Sequence, residues 1–200
     1  MLKIYHVRGT RSVRPIWLCY ELGLPIEIEP IDFSPAFRKS PEWRAISPAG
    51  KVPAMTDGGM TMFESGAMVD YILERYGEGR LRPPPGTPES AIYHQWCWFS
   101  EATLSRPLGL HRMLQPAAEH MPSVAADSEQ KARTCLAVVD QAVSDREFLL
   151  GREFGAADIM MGHSLQLVAN LDLLDHRYPH AQAYLGRLTR RDACLRAMSV

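Results

Sequence analysis

A run of prolines divides this chain into two stretches of different character. Arg80 to Pro88 carries four of them, and such a segment sustains neither a helix nor a central strand, so it reads as a linker. What precedes it alternates. Leu2–His6 reads as a short strand, and Val13–Leu22 as a helix with Ile16, Trp17, Cys19 and Tyr20 on its apolar positions and Gly23 as its stop. Ile26–Ile31 alternates Ile-Glu-Ile-Glu, the pattern of a half-buried strand. The polar segment Ser34–Ile46 holds a short helix. Val52–Thr56 and Met60–Phe63 read as strands around a turn at Asp57-Gly58-Gly59, and Ser65–Tyr76 as a helix. After the prolines no strand pattern appears. Ala91–Leu104, with Pro107 bending or ending it, Glu129–Val143, Ala156–Leu171 and Tyr184–Met198 all read as helical. Ala156–Leu171 is apolar nearly all round, as a buried central helix is. The expected fold is α/β plus all-α: a βαβ–α–ββα domain over 1–79, a linker over 80–88, and an all-helical domain over 89–200.

Composition removes several functions. With 46% apolar residues among 200, the chain can bury a real core. Its net charge is −1 and it carries no basic stripe, so a nucleic-acid partner is not expected. No apolar run approaches the roughly 18 residues a membrane span needs. Its start, Met1-Leu2-Lys3-Ile4-Tyr5, has the pattern of a strand rather than of a signal peptide. Cys19, Cys97, Cys135 and Cys194 are scattered with no C-x-x-C, which suits a reduced, cytoplasmic protein. No metal site is expected: His176 and His180 are four apart, but Pro179 interrupts the helix that would align them.

Two segments carry chemistry. Ser47-Pro48-Ala49-Gly50-Lys51-Val52-Pro53-Ala54-Met55 reads as a turn feeding a short strand whose proline marks an edge or bend, and whose X-Pro bond can be cis. Glu64-Ser65-Gly66-Ala67 then puts a carboxylate and a hydroxyl at a helix start, where free N–H groups attract an anion. Together they describe a small-peptide site with a backbone edge at Val52. The second segment is the loop Arg8–Arg14. Gly9 to Ser12 contains no thiol, which excludes dithiol–disulfide exchange there. What remains are the Thr10 and Ser12 hydroxyls beside Arg11 and Arg14. A hydroxyl donor, a helix start and positive charge favour a thiolate over a thiol of ordinary pKa about 8.5. Two units of lowering need about 2.7 kcal/mol, most of which one charge-assisted hydrogen bond of about 1.5–3 kcal/mol supplies. Ser12 also reads as the N-cap of the helix that follows. Thr10, outside the helix, is the favoured thiol partner. Arg11 and Arg14 also read as surface or ion-pair residues.

The element order resembles the thioredoxin fold, and the residues resemble the cytosolic glutathione S-transferase family. Ser12 to Pro25, with Arg14, Trp17 and Glu21-Leu22-Gly23-Leu24-Pro25, is similar to a bacterial and fungal branch in which a Ser-Arg-Ser run precedes the arginine. Thr10 stands at that run's first serine. Gly9 stands where theta- and zeta-like classes place a serine, and Arg11 where beta-class enzymes carry cysteine. The resemblance implies glutathione as co-substrate and no metal. It implies that Val52 pairs its backbone with the cysteinyl part, that Pro53 is cis, and that Glu64 and Ser65 hold the γ-glutamyl amine and carboxylate. Arg38, with Lys39 and Lys51 as rivals, stands near the position used for the glycyl carboxylate, and Arg11 joins the glutathione site. Thr10 and Ser12 are the implied catalytic hydroxyls. Glu153-Phe154-Gly155-Ala156-Ala157-Asp158 resembles the family's capping box with Gly155 in place of a hydroxyl residue, which makes Asp158 structural. Phe99–Leu104 also resembles that branch, whereas a beta-like enzyme would have histidine near Thr103. The implied reaction is attack of the glutathione thiolate on a small hydrophobic electrophile, as in detoxification, by a homodimer formed through the Met60–Tyr76 edge and the Ala91–Leu104 helix. Ether cleavage, dehalogenation, peroxide reduction, isomerisation and a non-catalytic glutathione- or protein-binding role remain open.

Overall fold

A computed structural model describes residues 1–200. The chain forms two compact units, Met1–Leu81 with Arg190–Val200, and Arg82–Thr189.

In the first unit, strand β1 (Leu2–His6) alternates, burying Leu2, Ile4 and His6 on one face. It pairs parallel with β2 (Ile26–Pro30) and antiparallel with β3 (Ala54–Asp57), which pairs antiparallel with β4 (Met60–Phe63). The strand order is β2-β1-β3-β4. A parallel pair needs a crossover, and helix α1 (Val13–Leu22) supplies it. That helix ends at Gly23, whose left-handed φ of 71° returns the Gly23 and Leu24 N–H groups to the Tyr20 and Cys19 carbonyls. It packs beside α3 (Ser65–Tyr76). On the other face lies α2 (Pro41–Ile46), where the Ser40 hydroxyl caps Trp43 N–H at 3.2 Å and the Trp43 ring meets Tyr5 edge-on at 5.6 Å. Strand β3 starts at Ala54 rather than Val52, because Pro53 has no N–H for the ladder.

The chain's last residues, which the sequence pattern groups with the helical domain, pack on the first unit. Helix α9 (Asp192–Ser199) lies along α1. Arg191 Nε and Nη2 each donate to the Glu21 carboxylate at 2.7 Å, and the Arg196 guanidinium sits 4.1 Å over the Tyr20 ring.

The second unit is helical, with a single antiparallel bridge between Phe148 and Gly151. Helix α4 (Pro88–Trp98) is capped by Thr87, whose hydroxyl accepts from Ser90 N–H at 3.2 Å. A π-helical turn over Phe99–Leu104 leads into α5 (Ser105–Leu114). Pro107 therefore neither ends nor breaks the helical path. It cannot donate to the Thr103 carbonyl, and the Cys135 thiol takes that acceptor at 3.7 Å, while Ser105 Oγ donates to the Ser100 carbonyl at 2.8 Å. Helix α6 (Pro122–Ala142) begins at Pro122 rather than Glu129; its first turns are polar and carry no periodicity, but proline at the helix start suits it. Helix α7 (Ala156–Ala169) is buried along almost its whole length, as its composition requires, and α8 (Pro179–Thr189) follows.

Candidate functional site

The candidate residues fall into three groups, all in the first unit. The first is the turn before β3. Ser47 Oγ donates to the Lys51 carbonyl at 2.8 Å and accepts from Lys51 N–H at 3.2 Å, closing the turn. Gly50 has φ 62°, and a Cβ there would lie 2.6 Å from the Arg38 carbonyl, so only glycine fits. Arg38 Nε donates to the Gly50 carbonyl at 3.2 Å, and its guanidinium lies 4.7 Å over the Phe33 ring. Arg38 and Lys51 thus come to one loop cluster; Lys39 is exposed. The Val52–Pro53 peptide is cis, as the resemblance implies. The ladder begins only at Ala54, so the Val52 N–H and C=O lie outside it, where an extended peptide can pair.

The second group is the start of α3. Glu64 is exposed and adopts φ 75°, ψ 107°, uncommon for a residue with a side chain and of the kind that strained functional positions show. Ser65 is buried, and its hydroxyl accepts from Arg14 Nη1 at 3.0 Å. Arg14 itself is fully buried. A surface role for it is therefore replaced: it is a charge held beneath the helix start, and a buried guanidinium is tolerated only with partners. The signal lay in the spacing. Arg14 stands three residues before Trp17 and four before Leu18, on the apolar stripe of α1.

The third group is the loop after β1. Ser12 stands at the N-cap position of α1, but its side chain does not cap. Its backbone is already helical, with φ −62° and ψ −21°, and its side chain makes no cap hydrogen bond. The hydroxyl turns back instead, lying 2.8 Å from His6 Nδ1 and 2.7 Å from Thr10 Oγ1. Thr10 Oγ1 also donates to the Val7 carbonyl at 2.7 Å. Ser12 is 0% exposed, whereas Thr10 is half-buried, so of the two hydroxyls Thr10 is the one a ligand can touch. Arg11, between them, is half-buried. Sequence reasoning passed over His6. Its alternation with Leu2 and Ile4 pointed it inward, but no local signal linked it to Ser12. Burial pulls the His6 imidazole below its ordinary pKa, and the Val200 carbonyl, 3.1 Å from Nε2, opposes that shift.

Chemically, this unit offers an exposed carboxylate and an arginine-held hydroxyl at a helix start, an unladdered backbone at Val52, a cationic loop at Arg38 and Lys51, and a half-buried hydroxyl at Thr10. The family model for "Glutathione S-transferase, N-terminal domain" matches residues 1–74, and that for "Glutathione S-transferase, C-terminal domain" matches residues 118–187. Glutathione S-transferase F10 of Arabidopsis thaliana is 31% identical over 169 residues, spanning 80% of this chain and 77% of that protein. Glutathione S-transferase 3 of Schizosaccharomyces pombe is 27% identical over 208 residues, spanning 97% of this chain and 85% of that protein. The crystal structure of the glutathione transferase URE2P8 from Phanerochaete chrysosporium with oxidized glutathione superposes with a TM-score of 0.89 at 24% identity, covering 99% of this chain and 93% of that one, which is a likeness of fold.

Proposed function

The chain belongs to the glutathione S-transferase family, and we propose that it binds reduced glutathione along the Val52 edge and stabilises its thiolate at Thr10 for attack on a small hydrophobic electrophile. The observation that carries this reading is the separation of the two loop hydroxyls. Ser12 is fully buried, and Thr10 stands between it and the outside. In the same reading Glu64 takes the γ-glutamyl amine, and Ser65, oriented by Arg14, takes its carboxylate with the helix N–H groups. Val52 pairs with the cysteinyl backbone beside the cis Pro53. Arg38 and Lys51 receive the glycyl carboxylate, and Arg11 adds positive charge near the sulfur. The structure of URE2P8 with oxidized glutathione, a chain of the same fold, is consistent with a glutathione-type ligand. Buried, reduced Cys19, Cys135 and Cys194 suit a cytoplasmic site of action, and detoxification of electrophiles is the physiological role this chemistry serves.

The test is the thiol titration of bound glutathione, read by thiolate ultraviolet absorbance against pH. Thr10→Val keeps the shape and removes the donor. The bound thiol is expected to titrate about one to two units higher, the equivalent of one charge-assisted hydrogen bond. Conjugation of a panel of electrophiles near neutral pH is expected to fall about tenfold or more, with affinity for S-methylglutathione kept. Unchanged titration and turnover in Thr10→Val would remove Thr10 from the reaction. Binding with no conjugation in the wild type would favour the non-catalytic role.

A further inference from the structure

Three side chains of the first unit form a continuous path. His6 Nδ1 lies 2.8 Å from Ser12 Oγ, and Ser12 Oγ lies 2.7 Å from Thr10 Oγ1. At the far end, His6 Nε2 lies 3.1 Å from the Val200 carbonyl. A backbone oxygen only accepts, so Nε2 carries a proton. In a neutral imidazole Nδ1 is then bare and takes the Ser12 proton. Ser12 has no second proton to give, so towards Thr10 it accepts. The Thr10 proton therefore faces inward, to Ser12 or to the Val7 carbonyl at 2.7 Å. A thiol arriving at Thr10 meets a lone pair rather than a donor.

We propose that His6 and Ser12 are positioning residues that act through Thr10 to ionise the thiol, with His6 as the final proton acceptor. This rests on the reading that Thr10 meets the glutathione sulfur. The thiol proton moves to Thr10 Oγ1 as the Thr10 proton moves to Ser12 Oγ and the Ser12 proton to His6 Nδ1. The S–H bond breaks and its electron pair stays on sulfur; an N–H bond forms on the imidazole. Each hydroxyl keeps one proton throughout, and the products are one thiolate and one imidazolium. The same shift reverses every bond of the path. Thr10 now donates to the sulfur, Ser12 to Thr10 and His6 to Ser12, so the step leaves the thiolate with the donor it needs.

The surroundings suit this. Ser12 is 0% and His6 4% exposed, so water does not bypass the path. Burial favours the neutral imidazole before the ligand arrives and opposes its protonation, which the Val200 backbone oxygen and the thiolate formed in the same step offset. Apart from the Val200 backbone oxygen on Nε2, the charged groups on the neighbouring elements are directed elsewhere. Lys3 pairs with Glu27 and Glu29 on the opposite face of the sheet. From α1, Arg14 reaches Ser65; from the α9 side, Arg191 reaches Glu21 and Arg196 covers Tyr20. Arg11 adjoins Ser12 in the chain. The thiolate at the other end of the path is the counter-charge to the imidazolium.

The test uses the full chain with reduced glutathione and with S-methylglutathione, which has no proton to give. Imidazole nitrogen NMR of the wild type is expected to show His6 doubly protonated with glutathione and singly protonated with the S-methyl form. In His6→Asn, which keeps a polar group but no base, and in Ser12→Ala, the thiolate fraction near neutral pH is expected to fall about tenfold. Affinity for S-methylglutathione is expected to stay, and the double variant to lose no more than either single one. His6 singly protonated while the wild type holds thiolate would overturn the proposal, as would variants that titrate like the wild type. The imidazole spectrum decides the matter even where a variant does not fold. If the wild type binds neither ligand, the glutathione reading itself fails and takes this step with it; thiolate formed without His6 protonation leaves that reading standing and sinks the relay alone.

Discussion

Asp57 ends β3 among three groups that favour its ionised form. The Tyr76 hydroxyl donates to its Oδ2, the Tyr71 hydroxyl does so at 2.8 Å, and Arg75 Nε lies 3.4 Å away. Tyr76 first, then Tyr71 and Arg75, hold the carboxyl below its ordinary value against a burial effect of opposite sign. A depressed carboxyl contributes stability that is present above its unfolded pKa of about 4 and lost as pH falls through the lower folded value. Asp57→Asn is therefore expected to lose about 1.5–3 kcal/mol at neutral pH. The gap from the wild type should close as pH falls through the lowered folded value. Urea unfolding of both proteins from neutral to acid pH checks this; a gap that does not close would mean the loss comes from packing. Arg14, also buried, is a cation whose Nη1 donates to the Ser65 hydroxyl.

At the scale of elements, Asp158 at the start of α7 does more than cap. Its Oδ2 accepts from Gly155 N–H at 2.8 Å, the capping bond the sequence pattern anticipates. Its Oδ1 also accepts from Leu149 N–H at 2.9 Å and from the Tyr184 hydroxyl at 2.6 Å, which joins α8 and the preceding loop to α7. Burial, then the Asp158 carboxylate, pushes Tyr184 well above its ordinary pKa. A cap alone is worth about 1 kcal/mol. Asp158→Ala leaves three buried donors unmet and is expected to cost at least about 3 kcal/mol. Equilibrium denaturation measures it, and a loss near about 1 kcal/mol would show that the two long-range bonds contribute little.

Over the whole molecule, α9 completes the first unit rather than the second. Glu21 receives Trp17 Nε1 at 2.9 Å as well as both Arg191 bonds, so one carboxylate ties the α1 interior to the return of the chain. Because the Arg191 side chain is 34% exposed, Arg191→Ala is expected to cost only about 1 kcal/mol. Its diagnostic effect is faster amide exchange in α1 and α9 together, with the second unit unchanged; faster exchange in α9 alone would mean the helix frays without loosening α1. Met60 and Phe63 on β4 and Ile92 and Trp98 on α4 are large apolar side chains left exposed, Trp98 by 68%. The first pair lies in the first unit and the second pair in the second, and a homodimer that covers such side chains is the state we propose. Light scattering at micromolar concentration should return twice the chain mass, and a monomer mass would end this expectation.

The sequence by itself determined the elements whose signals are local. Alternation set β2, the glycine at Gly23 ended α1, and the proline run marked where strands stop. It also carried the Val52–Pro53 and Glu64–Ser65 pairing of an edge with a helix start, because those residues sit close along the chain. Only the tertiary structure decided the rest. Ser12 passed for a cap until His6, at the end of β1, became its partner. Arg14 passed for a surface or ion-pair residue until Ser65 arrived from α3, and Pro107 for a bend or end of its helix until Cys135 took the carbonyl it leaves open. Hydrogen-bond choice at a hydroxyl or guanidinium depends on which acceptors folding brings within about 3 Å, and no period or propensity along the chain encodes that.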